Sequence, residues 1–100
     1  MTALTMKQMR KHAGEVSEFL KILANENRLL VLCTLLEGEK SVGEINAQID
    51  LSASALSQHL AWLREARLVS TRRESQTIYY QLVDQRVSEV MLVLKKTFCE

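Results

Sequence analysis

Residues 51–69, LSASALSQHLAWLREARLV, constrain the fold more than any other stretch of the chain. Leu56, Leu60 and Leu63 recur at spacings of four and three, which gathers them on one side of an α-helix and leaves the opposite side polar. The leading half carries Ser52, Ser54, Ser57, Gln58 and His59, a set that offers hydrogen bonds rather than catalysis. Short neutral donors and acceptors at the start of a helix suit the floor of a DNA major groove, where base edges are read, and a helix N-terminus favours phosphate. The helix from Ser52 to Ala66 is therefore expected to read DNA.

The flanking segments fit that expectation. Upstream, Ser41 and Glu44 in SVGEINAQI form a capping box of the S-x-x-E kind, opening a short helix with Val42, Ile45 and Ile49 on its apolar side. Downstream, LVSTRR at 68–73 and TIYYQL at 77–82 are rich in β-branched and aromatic residues. The link of Glu74, Ser75 and Gln76 between them can close a hairpin although it lacks Gly and Asn. Helix, tight turn, helix and hairpin together predict a mainly α fold with a β-hairpin wing, that is, a winged helix-turn-helix.

Three more helices complete a five-helix count. Thr5 and Gln8 can cap a first helix whose Met6, Met9, Ala13, Val16, Leu20 and Leu23 make a continuous apolar stripe, widened by Phe19. A second begins near Asn25, runs through RLLVLCTLL and stops at Gly38, the residue type most able to take a left-handed turn. A last helix starts at Asp84 and aligns Val87, Val90, Met91, Leu94 and Phe98. The small central domain cannot cover both terminal stripes, so the first and last helices are expected to pair with their copies in a homodimer.

With 100 residues and 47% hydrophobic content, the chain is one domain, 1–100, near the size at which a subunit partner is often recruited. It has no proline, no repeat, no linker and no apolar run near the length needed to span a bilayer, and its N-terminus lacks the apolar core of a signal peptide. A cytoplasmic location is expected, with both cysteines reduced at rest. The net charge of +1 argues only weakly for nucleic acid; the distribution matters more. Residues 52–83 carry Arg64, Arg67, Arg72 and Arg73 against Glu65 and Glu74, whereas residues 26–51 are net acidic. The positive excess thus falls partly on the expected reading head, a modest field that would not by itself imply DNA binding.

The words LANENRLLVLCTLLEGEKSVGEI, LSASALSQHLAWLREARLV and RRESQTIYYQL resemble the ArsR/SmtB family of bacterial winged-helix repressors over nearly the whole chain. Within that family the sequence is most similar to the branch that senses reactive sulfur species, together with a hemolysin-activating member from vibrios. Cys33 in the second helix and Cys99 at the end of the last stand where that branch carries its sensing pair. The resemblance implies a double-stranded, imperfectly palindromic DNA operator, a reactive sulfur species or an oxidant as inducer, and a bridge between the two cysteines that changes DNA affinity. It usually implies release from DNA and expression of sulfur-detoxification genes; in the hemolysin-activating member, binding instead displaces a silencing protein. An ArsR-type regulator or anti-silencing activator of virulence genes with merely structural cysteines is the alternative.

Metal-sensing members of the family carry a Cys-x-Cys pattern in the third-helix region or Asp and His ligands on the last helix. Here the first region reads KSVGEINAQ and the last helix has no histidine. His12, Cys33, His59 and Cys99 are scattered over four helices, unlike the converging donors a transition metal needs, so neither a metal site nor a cofactor is expected. His12 fits a surface or interface residue, and His59, on the leading half of the reader, fits groove contact.

At the hairpin, Arg72, Arg73, Gln76 and Thr77 are the candidate contacts; one arginine is expected to reach a phosphate or the minor groove, the other to be a charged edge-strand residue. Trp62, Tyr79 and Tyr80 are expected in core or wing packing. Cys33, set among Leu29, Leu30, Leu32 and Leu36, reads equally as a small core hydrophobe, sluggish if buried. Cys99 follows Lys95 and Lys96 by one turn, which favours thiolate, while Glu100 and the negative helix end oppose it; first attack on a donor is assigned to Cys99. A dithiol redox enzyme would place its cysteines close together, commonly as Cys-x-x-Cys, and a pure dimerisation adaptor would need no polar face on residues 52–59. The chain is therefore not expected to be an enzyme.

Overall fold

Polar side chains decide where the helices begin, and each start lies close to its expected position. The structure, a computed structural model, describes residues 5–99; the two ends of the expected 1–100 domain, Glu100 included, lie outside the described residues. Helix α1 (Met6–Leu23) opens on a capping box in which the Thr5 hydroxyl accepts from the Gln8 N–H and the Gln8 side chain accepts from the Thr5 N–H. In α2 (Glu26–Leu36), Asn25 accepts from the Arg28 N–H. The two-residue strand β1 (Lys40–Ser41) leads into α3 (Val42–Gln48) through the Ser41–Glu44 capping box. The hydrogen bonds from Ser41, backbone first, hold the Glu44 carboxyl below its ordinary value. Helix α4 (Ala53–Glu65) starts at Ser52, whose hydroxyl accepts from the Ala55 N–H at 3.1 Å. After the strands β2 (Val69–Glu74) and β3 (Thr77–Leu82), Asp84 starts α5 (Gln85–Cys99) by accepting from the N–H groups of Arg86 and Val87.

The core forms where the apolar stripes of four helices meet the sheet. Val31, Leu32 and Leu35 of α2, Ile45 of α3, Leu56, Leu60 and Leu63 of α4, and Val87 and Met91 of α5 are buried together with Leu68, Val69 and Tyr80. Helix α1 contributes only its last turns: Leu23 is buried and Phe19 and Ile22 pack against the cluster, whereas Met6 is 69% and Leu20 52% exposed. On α5, Leu92, Val93 and Phe98 are also exposed. The α1 stripe therefore remains largely uncovered by its own chain, whereas the expected uncovered stripe of α5 is corrected: Val87 and Met91 are buried, Val90 and Leu94 pack against the cluster, and of that row Phe98 alone is exposed, with Leu92 and Val93 on other sides of the helix.

The strands make an antiparallel sheet in the order β1-β3-β2, with Arg72 opposite Tyr79 and Ser41 on the far side of Tyr79. Strand β1 is absent from the sequence reading, because two residues carry no periodicity and the pairing is made by Tyr79 and Tyr80. The hairpin turn is tighter than expected: Glu74 pairs with Thr77, leaving Ser75 and Gln76 as the loop. Ser75 takes a positive φ of 59°, as the first position of a II′ turn requires. Gly38 takes φ 132° just beyond α2, which ends with Glu37 as its cap. One open burial alternative is decided and one burial expectation is corrected. Cys33 is exposed, since it lies on the side of α2 turned away from Val31, Leu32 and Leu35. Trp62 is 41% exposed on the flank of α4, beneath the Arg28 guanidinium, 4.2 Å from its ring centre.

Helix α4 ends in a Schellman arrangement: the Leu68 N–H donates to the Leu63 carbonyl and the Arg67 N–H to that of Arg64, both at 3.0 Å. Leu63 and Leu68 are buried together behind it. The position between them is normally glycine, yet Arg67 holds it at φ 64°. Arg67→Gly should therefore raise the free energy of unfolding by about 1 kcal/mol in urea titration; an unchanged or lower value would mean that Arg67 makes compensating interactions.

Candidate nucleic-acid interface and cysteine pair

The turn between α3 and α4 is pinned from within: the Asn46 side chain donates to the Leu51 carbonyl at 3.1 Å, and Ile49, the cap of α3, is buried. With the Leu56, Leu60 and Leu63 row sealed against the core, α4 has one orientation, and its opposite face is set. Ser54, Ser57 and Gln58 all lie on that face and are exposed, with Ala61 continuing the stripe at helical spacing. Among the described residues their side chains make no hydrogen bonds within the protein, so their donors and acceptors are free for a partner. No acidic residue occupies the first turn of α4, which leaves its N-terminal dipole uncompensated.

The other two members of the expected reading set differ. Ser52 is the helix cap, so its hydroxyl already has an intramolecular partner. His59 is half-buried and lies about 100° around the helix from Gln58, on the flank shared with Ala55 and Trp62. A histidine one residue past Gln58 looks equivalent in sequence; the helical turn separates the two.

At the wing, Gln76 and Thr77 are exposed at the tip, beside a shallow cleft shared with Ser41 and Gly43 at the start of α3. Strand alternation puts Arg72 and Arg73 on opposite faces. Arg72 is committed internally, bonded to Glu39 and Glu74 and lying over the Tyr79 ring. Among the described residues Arg73 forms no ion pair. A connection not seen in the sequence joins this region to α1: Arg28 Nε donates to the Ile22 carbonyl at 2.8 Å and Nη2 to that of Lys21, closing the end of α1 while the same guanidinium covers Trp62 of α4.

Cys33 and Cys99, far apart in the chain, come to the same place. Both thiols are free and exposed, and both line an apolar depression of about 290 Å³ between α2 and α5, floored by Leu29, Leu30, Met91 and Leu94 and edged by Lys95 and Phe98. His12 stands elsewhere, exposed on α1 with Glu15 4.0 Å away. Among the described residues no three His, Cys, Asp or Glu side chains gather as a metal site would need, and no helix is long and apolar enough to cross a membrane.

An α4 with a free polar face, a wing beside it and a tight turn before it define a winged helix-turn-helix of the DNA-binding kind. Comparison with known proteins agrees. Residues 25–71 match the family described as "Bacterial regulatory protein, arsR family". The chain is 44% identical over 97 residues to "Transcriptional activator HlyU" of Vibrio cholerae, covering 97% of this chain and 90% of that one. Its fold superposes on the structure of reduced HlyU from Vibrio cholerae N16961 with a TM-score of 0.87 at 45% identity, covering 95% of this chain and all of the other. The transcriptional repressor BigR from Xylella fastidiosa superposes with a TM-score of 0.91 at 41% identity, covering 97% and 99%. This chain belongs to the ArsR family of DNA-binding transcriptional regulators, and it is not an enzyme.

Proposed function

We propose that the protein is a homodimeric, sequence-specific DNA-binding regulator of the bacterial cytoplasm whose affinity for an imperfect palindromic operator is controlled by Cys33 and Cys99. The observation that carries this reading is the meeting of two exposed thiols in one apolar depression between α2 and α5. Helix α5 also bears the exposed Leu92, Val93 and Phe98, so a bridge to α2 would act beside the surface that a second subunit is best placed to cover. Bridging would then alter the spacing of two reading heads that must match the DNA repeat. That one relative is described as an activator and another as a repressor leaves both outcomes available to this architecture.

In this reading Ser54, Ser57 and Gln58 contact base edges, and Ser52 closes the helix end that faces phosphate. His59 stands at the margin of the groove, and Arg73, Gln76 and Thr77 touch the flanking backbone or minor groove. Gln58→Ala and His59→Ala should each weaken binding to a duplex selected from random sequence by the parent protein, while leaving weak binding to an unrelated duplex nearly intact. For Gln58 the loss should be about 1 to 3 kcal/mol, the worth of a good base contact. Equal losses on both duplexes would contradict the assignment.

Met6, Met9, Val16 and Leu20 of α1 and the exposed residues of α5 supply the dimer surface. Sedimentation at micromolar concentration should show a dimer, and the selected duplex should hold half-sites with centres about 10 base pairs apart or a small multiple of that. A monomer with and without DNA would refute it.

For the switch, both thiols are oxidised and a hydrogen polysulfide is reduced, leaving as hydrogen sulfide, with one or more of its sulfurs retained between Sγ of Cys33 and Sγ of Cys99. An ordinary disulfide needs Cα atoms within about 7 Å, whereas extra sulfurs span more. Mass spectrometry after polysulfide treatment should show an intramolecular Cys33–Cys99 link with added sulfur mass, and DNA binding should fall further than after peroxide. Cys33→Ser and Cys99→Ser should bind DNA normally when reduced and lose the response. If both variants respond like the parent, the cysteines are structural and the anti-silencing or simple ArsR-type reading takes over.

A further inference from the structure

Arg72 lies across the outer face of the wing like a strap. Strand β3 is the middle strand, with β2 on one side and β1 on the other. Arg72 of β2 sits opposite Tyr79 of β3, and Glu39 immediately precedes β1 on the far edge. The guanidinium passes over the Tyr79 ring, 4.5 Å from its centre. It then meets the Glu39 carboxylate with both prongs: Nε donates to Oε2 at 3.1 Å and Nη2 to Oε1 at 2.8 Å. Nη1 donates to Glu74 Oε2 at 2.8 Å, the last residue of β2 before the turn. One side chain thus ties the hairpin tip, the central strand and the edge leading out of α2.

The wing needs such a tie. Strand β1 reaches only as far as Tyr79, so from Arg73 and Ile78 outward the hairpin has no third strand. Every residue from Arg73 to Thr77 is exposed, and an isolated two-stranded ribbon is marginal in water. An exposed single ion pair would add little. A planar fork held by one carboxylate at two points, by a second at a third, and stacked on a ring has far less freedom. The Glu39 carboxyl is accordingly held below its ordinary value, chiefly by the hydrogen bonds from Arg72.

We propose that Arg72 and Glu39 are positioning residues for DNA binding: they fix the pitch of the wing against the reading helix, and Arg72 does so without contacting DNA. The proposal rests on the reading that the wing tip touches DNA. Its signature separates it from simple charge. Glu39 is acidic, so if it acted only through its field, Glu39→Gln would strengthen DNA binding; as half of the strap, its loss weakens it.

The test is a fluorescence-anisotropy titration over a salt series, using a duplex selected from random sequence by the parent protein, with circular dichroism melting to show that each variant is folded. Glu39→Gln, Arg72→Gln and Arg72→Lys should each weaken binding by about fivefold, the scale of a good surface network. Their salt slopes should equal the parent's, and the Glu39→Gln/Arg72→Gln double variant should be no worse than either single one. Arg73→Gln should weaken binding and make the slope shallower by about 0.9, as loss of a phosphate contact does. The proposal is overturned if Glu39→Gln binds as well as the parent or better, if Arg72→Lys binds like the parent, if Arg72→Gln makes the slope shallower, or if the double variant sums the singles. If Arg73→Gln weakens binding and Glu39→Gln does not, the strap alone fails; if neither matters, the wing-contact reading fails and the strap with it.

Discussion

The buried row of Leu56, Leu60 and Leu63 is the contact on which the rest of the molecule depends. Each is essentially inaccessible, so α4 cannot rotate without exposing apolar surface, and full burial of one leucine is worth about 1.5 to 3 kcal/mol. Three such anchors on successive turns turn a hydrophobic preference into an angular one. That is why the free polar groups of Ser54, Ser57 and Gln58 form a surface of defined orientation rather than a set of solvated side chains. The devices at the two ends of the helix serve the same purpose: Ser52 and Asn46 fix the entry, and the Leu63–Leu68 closure fixes the exit into β2.

The winged domain is well closed around its core, but helix α1 is longer than the body it serves. Helix α1 has 18 residues and spans about 27 Å, yet only its final turns reach the core. An apolar stripe left at the degree of exposure seen for Met6 and Leu20 is a costly surface for a protein of this size, and self-association is the simplest way to remove it. Arg28 then acquires significance. It closes the C-terminus of α1 and lies on Trp62 of α4, so any displacement of α1 bears directly on the flank of α4. The cysteine pair bears on the same body from the other side, through α2 and α5.

Most of the fold was legible because it rests on local signals. The capping pairs Thr5–Gln8 and Ser41–Glu44, the α4 leucine spacing and the β-branched and aromatic content of TIYYQL each lie within a short window, and the corresponding caps, helix and strand all appear in the structure. What escaped depends on tertiary partners. Strand β1 exists only because Tyr79 and Tyr80 offer an edge; the exposure of Cys33 depends on which side of a uniformly apolar α2 faces inward. RLLVLCTLL has no polar stripe from which to read that choice. The separation of Arg72 from Arg73 needed Glu39, more than thirty positions away and without sequence proximity to suggest it. The candidate site divides in the same way: Ser54, Ser57 and Gln58 follow from periodicity, whereas Ser52 proved to be a cap and His59 a flank residue.

The charge balance explains how a chain of net charge +1 can serve this chemistry. Electrostatic attraction to phosphate supplies affinity that is blind to sequence and falls with salt. A protein with little of it wastes little binding on random DNA and must draw discrimination from shape and neutral hydrogen bonds. Seen so, the commitment of Arg72 to two carboxylates is consistent with the serine and glutamine face of α4. A cation that could have added nonspecific attraction is tied to carboxylates across the face of the wing, and the groups left facing outward on α4 are, in the proposed reading, those that contact bases. Such a division would make binding sensitive to small changes in the placement of α4, as the proposed control through Cys33 and Cys99 requires.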